Sequence, residues 1–218
     1  MKMEYESNYH DNGIIVKCPK CGHTEIVGEK DFNNGGLECD NCIDSMRFCY
    51  ADPPYLGCGK KFYGKLHPEA HIWDDPQTHQ DLITKLCDEY TDGWAMSLGS
   101  TTLHTILPMC PSDVRVMAWV KPFASFKANV TVAYTWEPVI VRGGRKRLRK
   151  QDTIRDYVAA NITLKKGLTG AKPEQFSYWI FRVLNMMPQD EFIDMFSGTG
   201  GVMDAWEKFK REPELQFH

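Results

Sequence analysis

Apolar residues run along this chain in two rhythms. Short, nearly continuous runs bounded by turn residues read as buried strands over 46–51, 94–98, 114–120, 133–141 and 191–193, the fourth interrupted by Glu137 and Pro138. Between them the apolar positions return with the helical period. Leu82, Ile83, Leu86 and Tyr90 make one face of a helix capped by Asp74 or Asp75, with Pro76 in its first turn and Gly93 ending it. A short helix is predicted over 103–107. Ile180, Phe181, Leu184 and Met187 form one face of a helix over 178–187, and a last helix covers 202–210. Strands alternating with helices predict an α/β chain with a doubly wound or closely related sheet. Residues 56–73 break the rhythm with glycines and polar residues, among them Lys60, Lys61, Lys65, His67 and His71, and predict a long mobile loop of functional kind.

The 218 residues suffice for one well-buried domain and a small appendage. No apolar stretch reaches the roughly 18–20 residues of a membrane span, and the first residues lack the apolar core of a signal peptide. The expectation is a cytoplasmic protein without membrane attachment. A net charge of −3 argues against a protein that coats nucleic acid wholesale. The local distribution changes the picture: Arg142, Arg145, Lys146, Arg147, Arg149 and Lys150 crowd six cations into nine residues. This run is the predicted grip on a nucleic-acid backbone, unstructured before substrate arrives because like charges repel.

Eight cysteines in a cytoplasmic chain point to metal or burial rather than disulfides. Cys18 and Cys21, then Cys39 and Cys42, form two C-x2-C pairs separated by 17 residues. Four thiolates so spaced close a tetrahedron around one Zn2+ and leave no open position, so the metal is structural and contributes folding energy to a unit too small to stand alone. A zinc-ribbon segment over 1–44 and a larger domain over 45–218 follow. Cys49, inside a predicted strand, reads as a core residue.

Two short motifs carry the chemistry. Asp52-Pro53-Pro54-Tyr55 follows the strand at 46–51. Asp194-Met195-Phe196-Ser197-Gly198-Thr199-Gly200 follows the strand at 191–193, about 140 residues later. An acidic, proline-stiffened loop and a glycine turn, each at a strand end, describe a site at the carboxyl edge of a mostly parallel sheet. The glycine turn before a helix suits a dinucleotide or S-adenosylmethionine. An exocyclic amine of a base is a poor nucleophile until acceptors draw on its protons. Asp52 supplies a carboxylate for this, and Pro53 a carbonyl that Pro54 helps to fix. Tyr55 supplies a stacking face for a base turned out of its strand.

Motifs in this order resemble those of the permuted adenine-N6 DNA methyltransferases, and among them the small adenine methylases encoded by bacteriophages. The likeness spans about 48–209. It includes Trp119-Val120-Lys121-Pro122, Glu137-Pro138-Val139-Ile140 and the stretch from Gly170 to Phe176. It implies a Rossmann-like S-adenosylmethionine-dependent methyltransferase fold with a small N-terminal zinc ribbon, acting on DNA as a monomer or homodimer. Asp52, Pro53, Pro54 and Tyr55 would be catalytic. Asp52, Lys172, Pro173, Asp194, Phe196, Ser197, Gly198 and Gly200 would surround the cofactor. Asp194 would either accept from the cofactor's amino group or cap the turn that follows it. Cytosine N4 and RNA adenine are alternative targets, and an inactive nucleic-acid-binding scaffold is the alternative outside enzymology. The family's acidic ribose ligand, which follows the glycine helix, has little chain left to carry it, and a separate target-recognition domain has no room. Recognition would fall to the loops at 56–73 and 142–170, to the ribbon, or to a second subunit.

Overall fold

The computed structural model describes residues 4–10, 13–18, 24–27, 44–65, 67–123, 130–148, 151–162 and 171–212. The chain divides into two compact units, Met1–Ser45 and Met46–His218.

In the first unit, β1 (Glu4–His10), β2 (Gly13–Lys17) and β3 (Thr24–Val27) pair antiparallel in the order β1-β2-β3. Ile14, Val16 and Val27 form its small core, and Cys18 is buried just after β2. Of the four predicted zinc ligands, Cys21, Cys39 and Cys42 lie outside the described residues. No cluster of His, Cys, Asp and Glu able to hold a metal occurs among the described ones.

The second unit is built on a six-stranded sheet. Its strands are β4 (Arg47–Ala51), β5 (Gly93–Ser97), β6 (Arg115–Val120), β7 (Trp136–Gly143), β8 (Tyr157–Ala159) and β9 (Glu191–Asp194), in the order β8-β6-β7-β5-β4-β9. β4 runs parallel to both β5 and β9, and β6 parallel to β8, whereas β7 runs antiparallel to its neighbours β5 and β6. The helices are α1 (Pro76–Glu89), the single turn α2 (Leu103–Ile106), α3 (Glu174–Val183) and α4 (Gly201–Arg211). None of the described helices is long and apolar enough to cross a membrane.

Successive residues of a strand point to opposite faces, and the two cores divide accordingly. Phe48, Tyr50, Ala95, Met117, Trp119, Val139, Val141 and Phe192 pack under α3 and α4. Cys49, Ala51, Trp94, Met96 and Ile140 pack under α1. The aromatic load lies on the first face, where Phe181, Phe192, Trp206 and Phe209 meet with ring centroids 5.1–5.7 Å apart.

Helix α1 starts as its sequence dictates: the Asp75 side chain accepts from the Gln77 amide at 2.9 Å and Pro76 opens the first turn. Helix α3 begins earlier than its apolar stripe suggests, at Glu174 directly after Pro173. The segment expected to be a mobile loop is pinned. It contains one π-helical turn (Gly59–Tyr63) and a 3₁₀ helix (Pro68–Asp74). The Asp74 carboxylate joins them by accepting from the amides of Gly59 at 2.7 Å and Lys60 at 3.0 Å.

Candidate active site

The parity of the strands builds the site. On the face under α3, each row of core side chains ends in a polar residue at one edge of the sheet. Phe48 and Tyr50 lead to Asp52, Ala95 to Ser97, Trp119 to Lys121 and Phe192 to Asp194. Because β7 runs the other way, its first residues lie at this same edge, and Glu137 precedes Val139 and Val141. The edge is the carboxyl end of the parallel strands, and β4 and β9 stand side by side in it with Tyr50 opposite Asp194. The two sequence motifs are therefore neighbours.

Lys172 closes the arrangement. Its Nζ donates to Asp52 Oδ2 at 2.7 Å, lies 3.4 Å from the Tyr55 hydroxyl and 3.8 Å from Glu137 Oε2, and sits over the rings of Tyr55, Trp119 and Phe176. Only 4% of its side chain is exposed. Tyr55 donates to Glu137 Oε2 at 2.6 Å, and its hydroxyl is 3.4 Å from Asp52 Oδ1. Lys121 donates to Glu137 Oε1. Two carboxylates, two ammoniums and a phenol thus form one charge-balanced network. Burial raises the Asp52 pKa above the usual carboxylate range, and Lys172 only partly offsets it. Burial acts the same way on Glu137, but Lys172 and Lys121 outweigh it and the net shift is downward. For Lys172 the loss of solvent is overcome by Asp52 and Glu137, so it holds its proton more firmly than a free lysine. Burial, with Asp52 and Glu137 beside it, pushes the Tyr55 phenol well up, and it stays protonated.

Asp194 is different. Both of its carboxylate oxygens are buried without a hydrogen-bond partner. Burial first, eased by the nearby Phe196 amide and sharpened by the Asp52 charge, lifts its pKa to about 6. The Phe196 amide is the turn's approach to this carboxylate, and it falls short of full hydrogen-bond geometry. In that turn Gly198 (φ 48°) and Gly200 (φ 80°) take the left-handed conformation, and no atom lies within 4 Å of where a Cβ on Gly200 would stand. Gly200 caps α4 without a side-chain hydrogen bond, so the first amides of that helix are open to a ligand. Pro173 likewise begins α3 without a side-chain cap. Phe196 packs edge-on against Trp73, 5.1 Å between centroids, and Trp73 against His79 at 5.4 Å. From the start of α3 a cleft of about 690 Å³ runs along the length of α4, lined by Lys172, Glu174, Gly201, Asp204, Lys208 and Arg211 among others.

An unpartnered buried carboxylate, an open helix start and a glycine turn with space above it fit the ammonium and carboxylate ends of an amino-acid-like cofactor such as S-adenosylmethionine. Lys121 and Glu137 lie within the stretches that carry the family resemblance, yet nothing in their local sequence assigns them a part in the site.

The basic run is held in place, where its charge predicted an unstructured segment. It starts where β7 ends, beside Gly93 at the beginning of β5, at the edge of the sheet opposite Asp52. The predicted repulsion is relieved by partners. Arg142 pairs with Asp113 at 2.9 Å, Arg145 with buried Asp190, and Arg147 donates to the carbonyls of Asp152 and Arg182. The backbone is fixed as well, by the Arg145 amide on Leu184 O at 2.9 Å and by Asn185, whose side-chain amide spans the carbonyls of Arg145 and Lys146. Lys146 is exposed; Arg149 and Lys150 lie outside the described residues.

No family model and no curated protein matches the sequence. Among solved structures, the M1.HpyAVI–SAM complex is similar over 83% of this chain and 83% of its own, at 14% identity and a TM-score of 0.50. A second structure of M1.HpyAVI is similar over 76% of this chain and 77% of its own, at 11% identity and a TM-score of 0.47. TTHA0409 from Thermus thermophilus, described as a candidate DNA modification methylase, is similar over 74% of this chain and 75% of its own, at 12% identity and a TM-score of 0.43. The chain shares the α/β fold of the first.

Proposed function

We propose that this chain is an S-adenosylmethionine-dependent methyltransferase that modifies the exocyclic N6 amine of adenine in DNA, with the target base turned out of its strand. One observation carries the reading. Two carboxylates of opposite circumstance end adjacent parallel strands: Asp52 is held from one side by Lys172, and the Asp194 carboxylate is buried without a partner. Fold likeness to a protein solved with SAM supports the cofactor, and the Asp-Pro-Pro-Tyr resemblance supports the substrate.

The cofactor, when bound, supplies an electrophilic methyl group on a sulfonium. Asp194 would hold the amino group of its methionine part, and the turn at Phe196, Ser197, Gly198 and Gly200, with the first amides of α4, would hold its carboxylate end. Lys172 occupies Oδ2 of Asp52, which leaves Oδ1, with only a long approach from Tyr55, to accept from the substrate amine. The Pro53 carbonyl is the second acceptor. As nitrogen gains the methyl group it must lose a proton, and the raised affinity of half-buried Asp52 for protons suits it to receive one. Tyr55 stacks on the base.

With three arginines of the basic run engaged internally, the strand is held by Lys60, Lys61 and Lys65, all exposed on the segment that follows Tyr55, beside exposed Phe62. Cys18, Cys21, Cys39 and Cys42 bind one structural zinc per chain. Metal analysis tests this, and a folded zinc-free protein overturns it.

The deciding experiment is incubation with labelled S-adenosylmethionine and mixed DNA and RNA, followed by nucleoside mass spectrometry. N6-methyladenine in DNA is expected. N4-methylcytosine, or methylated RNA alone, replaces the substrate. Cofactor binding without any transfer makes the chain a scaffold.

A further inference from the structure

Resting on the methyltransferase reading, we propose that Glu137 is a positioning residue: it sets Tyr55 in its stacking attitude before the base arrives, and Lys121 and Lys172 hold Glu137 in turn. Tyr55 belongs to an irregular segment after β4, and its ring would turn about two torsions if only its Cα were fixed. The 2.6 Å bond from its hydroxyl to Glu137 Oε2 ties the far end. Glu137 is well placed to act as that tie. It lies on β7, opposite Trp119 of β6, so its backbone is part of the sheet. Its other oxygen accepts from Lys121, which sits 4.8 Å from the Trp119 ring centroid, and 18% of its side chain is exposed. Gly99 leaves the ring room, since a Cβ there would stand 3.4 Å from Tyr55 Cδ2. A ring held at both ends offers a stacking wall whose ordering is complete before binding.

The acid is needed for its charge as well as its shape. Lys121 and Lys172 converge on this point, and Asp52 alone balances only one of them. With Glu137 neutral, Lys121 and Lys172 would no longer hold it by charge, and its grip on the Tyr55 hydroxyl would loosen.

The test is a cycle of Tyr55→Phe, Glu137→Gln and the double variant, with kcat and KM for methyl transfer to DNA and cofactor affinity read for each. If Glu137 acts through the Tyr55 hydroxyl, each single change lowers kcat by about tenfold, the double variant lies within about twofold of the singles, and cofactor affinity stays within about twofold of wild type. A Glu137→Gln change that leaves kcat intact, or that lowers it by the same factor whether or not the hydroxyl is present, overturns the proposal. If Glu137→Gln does not fold, Glu137→Asp, which withdraws the carboxylate by one methylene, takes its place in the same cycle. Wild-type protein that methylates nothing refutes the methyltransferase reading instead. The cycle is then read in thermal midpoints, where additive shifts overturn the Tyr55–Glu137 linkage.

Discussion

Asp190 and Asp194 stand at the two ends of one short strand, and they lead opposite lives. Asp190 accepts from the amides of Met46 at 2.9 Å and Met187 at 2.7 Å and pairs with Arg145. Asp194, itself half-buried, keeps both carboxylate oxygens buried and unpartnered. The same contrast runs along the two edges of the sheet. At the amino edge, Arg47 pairs with Glu191 and donates its amide to Asp92, and Arg142 pairs with Asp113. At the carboxyl edge the charges are shared among several groups and one carboxylate is left over. A saturated edge holds the sheet together. An edge with spare hydrogen-bonding capacity is arranged for something that is not part of the chain.

That contrast can be broken by mutation, and the largest effect belongs to the saturated edge. Asp190→Ala takes the acceptor from two amides and the ion-pair partner from the largely buried Arg145 side chain, and should cost about 3–5 kcal/mol of stability, read by denaturant unfolding. A loss under about 1 kcal/mol would mean that edge is not structural. At the other edge, Asp52→Ala should lower methyl transfer by about 10²–10³-fold while the protein stays folded and still binds DNA; an active variant would show the site is misplaced. Asp194→Asn should weaken cofactor binding by about ten- to a hundredfold, read by calorimetry.

Asp194 also supplies a pH dependence. Its pKa rises on folding from 3.8 to about 6, so the folded protein binds more protons than the unfolded chain between those values. Stability therefore falls as pH rises from about 4 to about 6, and the ionisation penalty persists above that range. Asp194→Asn should thus unfold at a higher temperature than wild type at about pH 8, with the gain vanishing near pH 4. Affinity for a cofactor bearing an ammonium should rise through about pH 6 in wild type and stay flat in the variant. The reverse trend would remove Asp194 from the cofactor site. The smallest effects concern the cations. Alanine at Lys60, Lys61 and Lys65 should weaken DNA binding at every sequence and reduce the salt slope by about 0.9 for each phosphate no longer neutralised, whereas Lys146→Ala should change affinity by less than about twofold.

The parts of the site that are legible in the sequence are those made locally. Asp52-Pro53-Pro54-Tyr55 and the glycine turn announce themselves because each is a contiguous loop, and the strands before them are plain apolar runs. Lys121 and Glu137 are not legible, because their place depends on the register of β6 against β7 and on β7 running against its neighbours. The order of the basic run is hidden for a related reason. Charge density is visible along a chain, but the partners that absorb it, Asp113, Asp190 and the carbonyl of Arg182, are far away in sequence. The same holds for the segment after Tyr55, whose stillness comes from Asp74, fifteen residues beyond Gly59. Three-residue β8 escapes a reading by pattern, since a strand that short, partly exposed, carries little periodicity.

The pairing of β4 with β9 has a consequence in time. Arg47 meets Glu191 across 144 residues of chain, so the half of the site that carries Asp52 is synthesised long before the half that carries Asp194. At roughly 5–20 residues per second, translation separates them by about seven to thirty seconds. During that interval the nascent chain carries Asp52 and Tyr55 without the strand that brings Asp194 beside them. On the methyltransferase reading, pairing of β9 with β4 is then the event that completes the proposed cofactor site. On that reading the slow, long-range step of folding also keeps an unfinished chain from modifying the nucleic acids around it.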